Sequence, residues 1–264
     1  MRHDGSPRRG ESVAADDQKM QKLAVSVMRP VFKACWRINV VGLDNIPADG
    51  PAILAPNHSS VIDSFFLPAV LPRCITFVGK AEYLDDWKTR RLFPALGMIP
   101  IDRSGGDSSQ RALDAAADLL ECGQLFGIYP EGTRSRTGFL HRGHTGAARL
   151  AVRTGAPIIP VGILGTRKIQ PPDASCPKPF LPAEIKFGHP IRAAGSKHVS
   201  DTRLRLRQMT DELMFEIRAL TGQDYVNTYA TKGRHVATTT LETRIDPEMP
   251  PRRSSADVLR PAAV

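Results

Sequence analysis

The stretch Asn57-His58-Ser59-Ser60-Val61-Ile62-Asp63 sets a histidine and an aspartate with four residues between them, directly after the apolar run Ala52-Ile53-Leu54-Ala55. An imidazole that donates one N–H to a carboxylate has its tautomer fixed and its other nitrogen free to act as a base. If the whole stretch were helical, the five-residue step would set the two side chains roughly 140° apart around the axis, too far round to touch. The spacing therefore predicts His58 in a turn leaving a strand and Asp63 in the first turn of the helix that follows. The same residues also fit an ordinary capping box, with Ser60 covering the first N–H groups and Asp63 answering from the third helical position.

Two further loops carry groups suited to a phosphate. Met98-Ile99-Pro100-Ile101 delivers Asp102 and Arg103 to a Gly-Ser loop, and Leu125-Phe126-Gly127-Ile128-Tyr129 ends in Pro130-Glu131-Gly132-Thr133-Arg134. Planar guanidinium groups at Arg103 and Arg134 suit bidentate phosphate binding, and Gly132 lets backbone approach a ligand closely. Each has a plainer reading: Arg103 as a solvated surface charge, Pro130 to Thr133 as a simple turn. Gly105-Gly106 before a helix is a weak anion signal, because the full P-loop pattern is missing.

The elements that must position these loops follow in order. Met1 to Asp17 reads as a disordered tail, and beyond about Tyr229 the composition turns to Thr, Arg, Pro and Ser, so residues 231–264 read as a second one. Residues 18–230 are expected to be the folded domain. Its first segment, Gln18 to Arg37, is basic and amphipathic: Lys19, Lys22, Arg29, Lys33 and Arg37 share a sector of roughly 80°, with Met20, Leu23, Val27, Met28, Val31, Phe32 and Trp36 on the rest. Pro30 is expected to kink or break it. Strands are expected at Arg37–Val41 as an edge, at Ala52–Ala55, Cys74–Val78, Met98–Ile101 and Leu125–Tyr129, at Pro157–Gly162, and last at Ala183–Phe187. Helices are expected at Val61–Leu71, Asp86–Leu96, Gln110–Cys122, Thr145–Arg153 and Ser200–Leu220. Strands alternating with helices argue an α/β domain: a central, mostly parallel or mixed sheet flanked by helices, with the three loops opening at the carboxyl ends of its strands.

A chain of 264 residues, 41% hydrophobic and 24% charged, supports one large domain with a real core. A net charge of +9 points to an anionic partner, and 6% aromatics with no nucleic-acid module moves the weight from nucleic acid to membranes and phosphates. Cys35, Cys74, Cys122 and Cys176 stand singly, which reads as reduced thiols in a cytosolic compartment rather than a disulfide frame or a metal site. The N-terminal residues form no signal peptide, and no apolar run approaches the roughly 20 residues of a transmembrane helix, so membrane contact is expected to be peripheral, at the cytoplasmic face.

Taken together, four blocks resemble the glycerolipid acyltransferase family that includes the 1-acylglycerol-3-phosphate acyltransferases. They are His58 to Asp63 as H-x-x-x-x-D, Gly97 to Arg103, Tyr129 to Ser135, and Ala156 to Val161, with Tyr129 standing where Phe is usual and Ala156 where Val is usual. The resemblance implies transfer of a fatty acyl group from acyl-CoA or an acyl-carrier protein to the hydroxyl of lysophosphatidic acid, giving phosphatidic acid, with no cofactor. It implies His58 and Asp63 as the catalytic pair, Arg103, Glu131 and Arg134 as ligands of the acceptor's glycerol phosphate, and Gly132 and Thr133 as shapers of that loop. Glycerol 3-phosphate or another lysophospholipid is the alternative acceptor. A hydrolase using Ser59 or Ser60 lacks a G-x-S-x-G elbow. A non-catalytic anionic-lipid binding module would explain the basic helix but not the His and Asp at this spacing.

Overall fold

The fully apolar segment Ala52–Pro56 becomes β2, buried at every position, and the rest of the sheet is laid out around it. The computed structural model describes residues 9–80, 97–101, 108–193 and 202–231, all within one compact unit. The helix expected at residues 86–96, the loop at 104–107 with Arg103 before it, and most of both tails lie outside the described residues.

The other strands are β1 Arg37–Val41, β3 Ile75–Lys80, β4 Met98–Ile101, β5 Leu125–Gly127, β6 Leu140–His141, β7 Ile158–Leu164, β8 Pro182–Phe187 and β9 Tyr225–Val226. Seven form one sheet in the order β1-β8-β7-β2-β5-β3-β4, with β7 and β8 the antiparallel pair and every other pairing parallel. The α/β architecture and mixed sheet read from the sequence are therefore present, with β1 at an edge as expected. β8 is not the last strand. Residues 140–141 and 225–226 pair as a separate two-stranded ribbon, too short for any alternation to reveal.

The helices are α1 Arg9–Cys35, α2 Asp63–Val70, α3 Ser108–Glu121, α4 Gly146–Thr154, the single turn α5 Thr166–Ile169, and α6 Thr202–Thr221. Alternation along β2 splits the core into two layers. Ala52 and Leu54 face Trp36, just past α1, and Phe66 and Leu67 from α2, whereas Ile53 and Ala55 face α3, α4 and α6 through Leu120, Leu150, Leu213 and Ile217. No helix among the described residues is long and apolar enough to cross a membrane.

Two expectations about the N-terminal segment change. The helix begins at Arg9, before the expected start at Gln18, and runs through Pro30 unbroken. Tertiary contacts on both sides of the proline hold it. Arg29 Nε donates to Ala69 O at 2.9 Å and its Nη2 to Leu71 O at 2.8 Å. Beyond the proline, Trp36 Nε1 donates to Lys178 O at 2.8 Å, and Phe32 and Trp36 pack on Phe66 with centroids 5.4 Å away. Phe32, Trp36 and Arg29 thus belong to the docked face. Met20, Leu23, Val27 and Val31, 55% to 64% exposed, line up on the opposite side, within a sector of roughly 80°.

Candidate active site

β2, β5 and β7 are adjacent and parallel, so their carboxyl ends share one edge of the sheet. Just past β2, Asn57 N donates to Val161 O at 3.3 Å, and the Asn57 side chain then stands in for the next rung of the ladder. Its Nδ2 donates to Ile163 O at 3.0 Å and its Oδ1 accepts Ile163 N–H at 2.7 Å. The second Nδ2 hydrogen goes to Gln223 Oε1 at 2.8 Å, and Gln223 Nε2 donates onward to Gly138 O at 2.8 Å. Asn57 is 2% exposed, so each of these bonds satisfies a group that water cannot reach. The chain leaves the sheet at His58 with its direction fixed.

His58 and Asp63 meet as the spacing predicts: His58 lies in the turn, Asp63 is the first residue of α2, and Nδ1 is 3.0 Å from Oδ2. The same oxygen accepts the N–H groups of Ser59 and Ser60, each at 2.8 Å. Asp63 is fully buried, and His58 is 14% exposed at its side chain. With Nδ1–H directed at the carboxylate, Nε2 is the basic nitrogen. Only half of the capping box forms: Asp63 accepts the Ser60 N–H at 2.8 Å, whereas Ser60 Oγ accepts just a long 3.4 Å bond from the Ile62 N–H. Ile62 is the N-cap with no side-chain cap bond, and Ser60 Oγ donates to Gln170 O at 2.8 Å. The Ser60 hydroxyl is thereby engaged and Ser59 is buried, so neither offers a nucleophile.

The turn after β5 holds His58 from the other side. His58 N–H donates to Glu131 Oε1 at 3.2 Å, while His58 O accepts Ser135 N–H at 2.7 Å. Glu131 Oε2 accepts His141 N–H at 3.0 Å. Glu131 is 1% exposed with an oxygen committed to each of two backbone groups, so it braces the turn. Burial pushes its carboxyl up to about 7, against the smaller opposing pull of the His141 and His58 N–H groups. Gly132 has φ +73, and an added Cβ would come within 3.1 Å of His144 Cδ2, so the turn needs glycine on both counts. Thr133 is half-buried beside it. Arg134 is half-buried with no hydrogen-bonded or ionic partner among the described residues, which leaves its guanidinium available to an anion. β4 runs parallel to β3, so it ends at the same edge, but Arg103 lies outside the described residues.

Sequence reasoning missed Asn57 and Gln223 as positioning residues. Their partners lie 106 and 85 residues away in the chain, beyond any local spacing rule. Among the described residues no group of three His, Cys, Asp or Glu side chains comes together to hold a metal ion.

Residues 37–164 match the family model described as Acyltransferase. The chain is 32% identical over 137 residues to the chloroplastic 1-acyl-sn-glycerol-3-phosphate acyltransferase of Arabidopsis thaliana, across 52% of this chain and 38% of that protein. It is 26% identical over 205 residues to the 1-acyl-sn-glycerol-3-phosphate acyltransferase of Bacillus subtilis, across 76% of this chain and 96% of that one. This chain spans less than half the length of the plant relatives, 38% and 40%. A crystal structure of the 1-acyl-sn-glycerophosphate acyltransferase PlsC from Thermotoga maritima shares the fold, with a TM-score of 0.58 at 23% identity over 81% of this chain and 85% of that one.

Glu131 generates a pH signature. Its folded-state value, raised from 4.5 to about 7, means the folded chain binds more protons than the unfolded one between those limits. Stability contributed at this residue therefore falls as pH rises through that window and is level above it. Glu131→Gln removes the titration, so the melting temperature of the variant minus that of the parent rises between pH 4.5 and 8. A difference that stays constant with pH contradicts the assignment.

Proposed function

We propose that this chain, whose residues 37–164 match the acyltransferase family model, moves a fatty acyl group from a thioester, acyl-CoA or acyl-carrier protein, to the free hydroxyl of lysophosphatidic acid, yielding phosphatidic acid for phospholipid synthesis. The observation that carries the proposal is the Asp63-fixed His58, with Nε2 as its basic nitrogen at the sheet edge that also carries Arg134, half-buried and without a partner among the described residues. The names of the plant and Bacillus relatives support the acceptor.

The chemistry requires little more than this. His58 Nε2 takes the proton of the acceptor hydroxyl as that oxygen bonds to the thioester carbonyl carbon. The tetrahedral intermediate collapses, the C–S bond breaks, and the departing thiolate recovers the proton from the imidazolium. A thiol of ordinary pKa about 8.5 leaves readily, so no acyl-enzyme and no cofactor is needed. Arg134, joined by Arg103, is assigned to the acceptor phosphate, with Gly132 and Thr133 shaping the turn and Glu131 holding it in place.

Both the acceptor and the product are lipids, and α1 is the proposed contact with the bilayer, peripheral and at an anionic, cytoplasm-facing surface. Met20, Leu23, Val27 and Val31 point away from the docked face, and the exposed Lys22 and Lys33 lie along one flank of that stripe. An apolar stripe bordered by lysines suits a helix lying in the headgroup region, each basic residue contributing about 1 kcal/mol near anionic lipid.

Steady-state acylation of lysophosphatidic acid tests the chemistry: His58→Ala is expected to lower turnover roughly 10²- to 10⁴-fold in a folded protein, with Asp63→Asn close behind. Arg134→Lys keeps the charge but loses the planar fork, and is expected to raise KM for the acceptor while leaving that for the donor. A folded His58→Ala protein with near-parental turnover would refute the reading. Turnover lost alongside full retention of lipid binding is its expected signature, and separates an enzyme from a binding module.

Vesicle co-sedimentation tests the surface. Binding to anionic vesicles should weaken as salt rises. It should also fall sharply in Lys22→Glu/Lys33→Glu and in Leu23→Ser/Val27→Ser, with melting temperatures near the parent's because these side chains are exposed. Undiminished sedimentation of both double variants would place the contact elsewhere.

A further inference from the structure

His58 has a neighbour that the acid–base pair does not use. Tyr129, just ahead of the Pro130-Glu131 turn, lays its ring almost parallel to the imidazole, with centroids 3.8 Å apart and planes 15° apart. Phe77 stacks on Tyr129 in turn, at 5.7 Å and 18°. Phe77 is itself pressed against β5: a Cβ added to Gly127 would fall 2.1 Å from its Cε1. The far end of the phenol is also held, with Tyr129 Oη 2.8 Å from Ser64 Oγ. Ser64 directly follows Asp63 on α2. The first turn of one helix thus grips the imidazole by its edge and the phenol that covers its face.

We propose that Tyr129 is a positioning residue: its ring face fixes the tilt of the His58 imidazole and stabilises the positive charge that the ring carries between taking the acceptor's proton and returning it. The proposal rests on the acyl-transfer reading for its role in turnover, but the contact itself stands on geometry. One hydrogen bond at Nδ1 fixes the direction of the ring and leaves it free to rock about that bond. A flat face at 3.8 Å removes the rocking, so Nε2 keeps its aim at an incoming hydroxyl. An imidazolium gains more from an aromatic face than a neutral imidazole does, so the contact strengthens as the proton is transferred, which is the condition for an interaction to speed a reaction. Burial first, and the negative charge of Asp63 second, push the phenol of Tyr129 upward. It stays protonated, so the face offered to the imidazolium is neutral and electron-rich. Among the described residues, the charged or titratable groups set against His58 are Asp63 from α2, Glu131 through the backbone N–H, and Tyr129 itself.

Tyr129→Phe and Tyr129→Leu separate the face from the hydroxyl. Tyr129→Phe keeps the stack and is expected to retain kcat within about twofold, whereas Tyr129→Leu should lower kcat roughly 3- to 30-fold with both KM values little changed. Tyr129→Met, which fills the space with a flexible thioether, replaces Tyr129→Leu if that variant fails to fold. A second readout does not depend on turnover. Followed by imidazole proton NMR, the midpoint of the His58 titration should move to lower pH in Tyr129→Leu and stay in place in Tyr129→Phe. Equal losses of kcat in the Phe and Leu variants, or a His58 midpoint that Tyr129→Leu leaves unmoved, would overturn the proposal. A parent protein that transfers no acyl group would sink the functional reading and still leave the NMR comparison to decide whether the ring face acts on His58.

Discussion

A carboxylate with no exposure to water, Asp63, gathers three donors onto one oxygen: His58 Nδ1 and the N–H groups of Ser59 and Ser60. An isolated buried carboxylate would cost several kcal/mol, and each hydrogen bond to a charged group recovers about 1.5 to 3 kcal/mol. The turn between β2 and α2 is therefore held to the conformation that delivers all three. That conformation decides where α2 starts, why Ile62 rather than Ser60 is its N-cap, and which imidazole nitrogen is left as a base. Upstream, the Asn57 amide locks the exit from the sheet onto Ile163, and downstream the Glu131 turn takes both backbone groups of His58 through Glu131 and Ser135. The histidine is held by its backbone, its edge and its ring face, with Nε2 left over.

What could be read in advance follows from range along the chain. His58 and Asp63 are five residues apart, so the geometry of a helix and of a turn was enough to predict their contact. The continuous apolar runs of β2, β5 and β7 announced buried strands, and strands followed by helices announced a mostly parallel or mixed sheet with its loops at one edge. The sequence could not announce partners set by tertiary packing. Ser60 donates its hydroxyl to Gln170 O, 110 residues on, a bond that orients its oxygen so that it reaches the Ile62 N–H only at 3.4 Å. Glu131 entered the reading through family resemblance alone, and only the sheet brings the His58 and His141 N–H groups onto it. Pro30 read as a break because propensity is local, whereas the Arg29 and Trp36 anchors that carry α1 past it are not.

The same sheet edge reconciles stability with chemistry. Buried polar groups there are costly, and most are satisfied by backbone atoms of a neighbouring loop, so the site is rigid because each loop completes another's hydrogen bonding. Arg134 departs from that pattern as a half-buried cation with no partner among the described residues, which is the state expected of a group whose partner arrives with a ligand. α1 divides its labour in a similar way. One face closes the core over Phe66, and the opposite face keeps Leu23, Val27 and Val31 in solvent, an arrangement that folding alone does not explain.

By accepting at Nδ1, Asp63 holds His58 in the tautomer with the proton on Nδ1 and a bare Nε2. Nitrogen NMR of protein labelled with ¹⁵N-histidine, recorded where the His58 ring is neutral, reads the tautomer directly. The parent is expected to show a protonated Nδ1 and an unprotonated Nε2, with that preference lost in Asp63→Asn. A parent His58 that carries its proton on Nε2, or a tautomer that Asp63→Asn leaves unchanged, would contradict it.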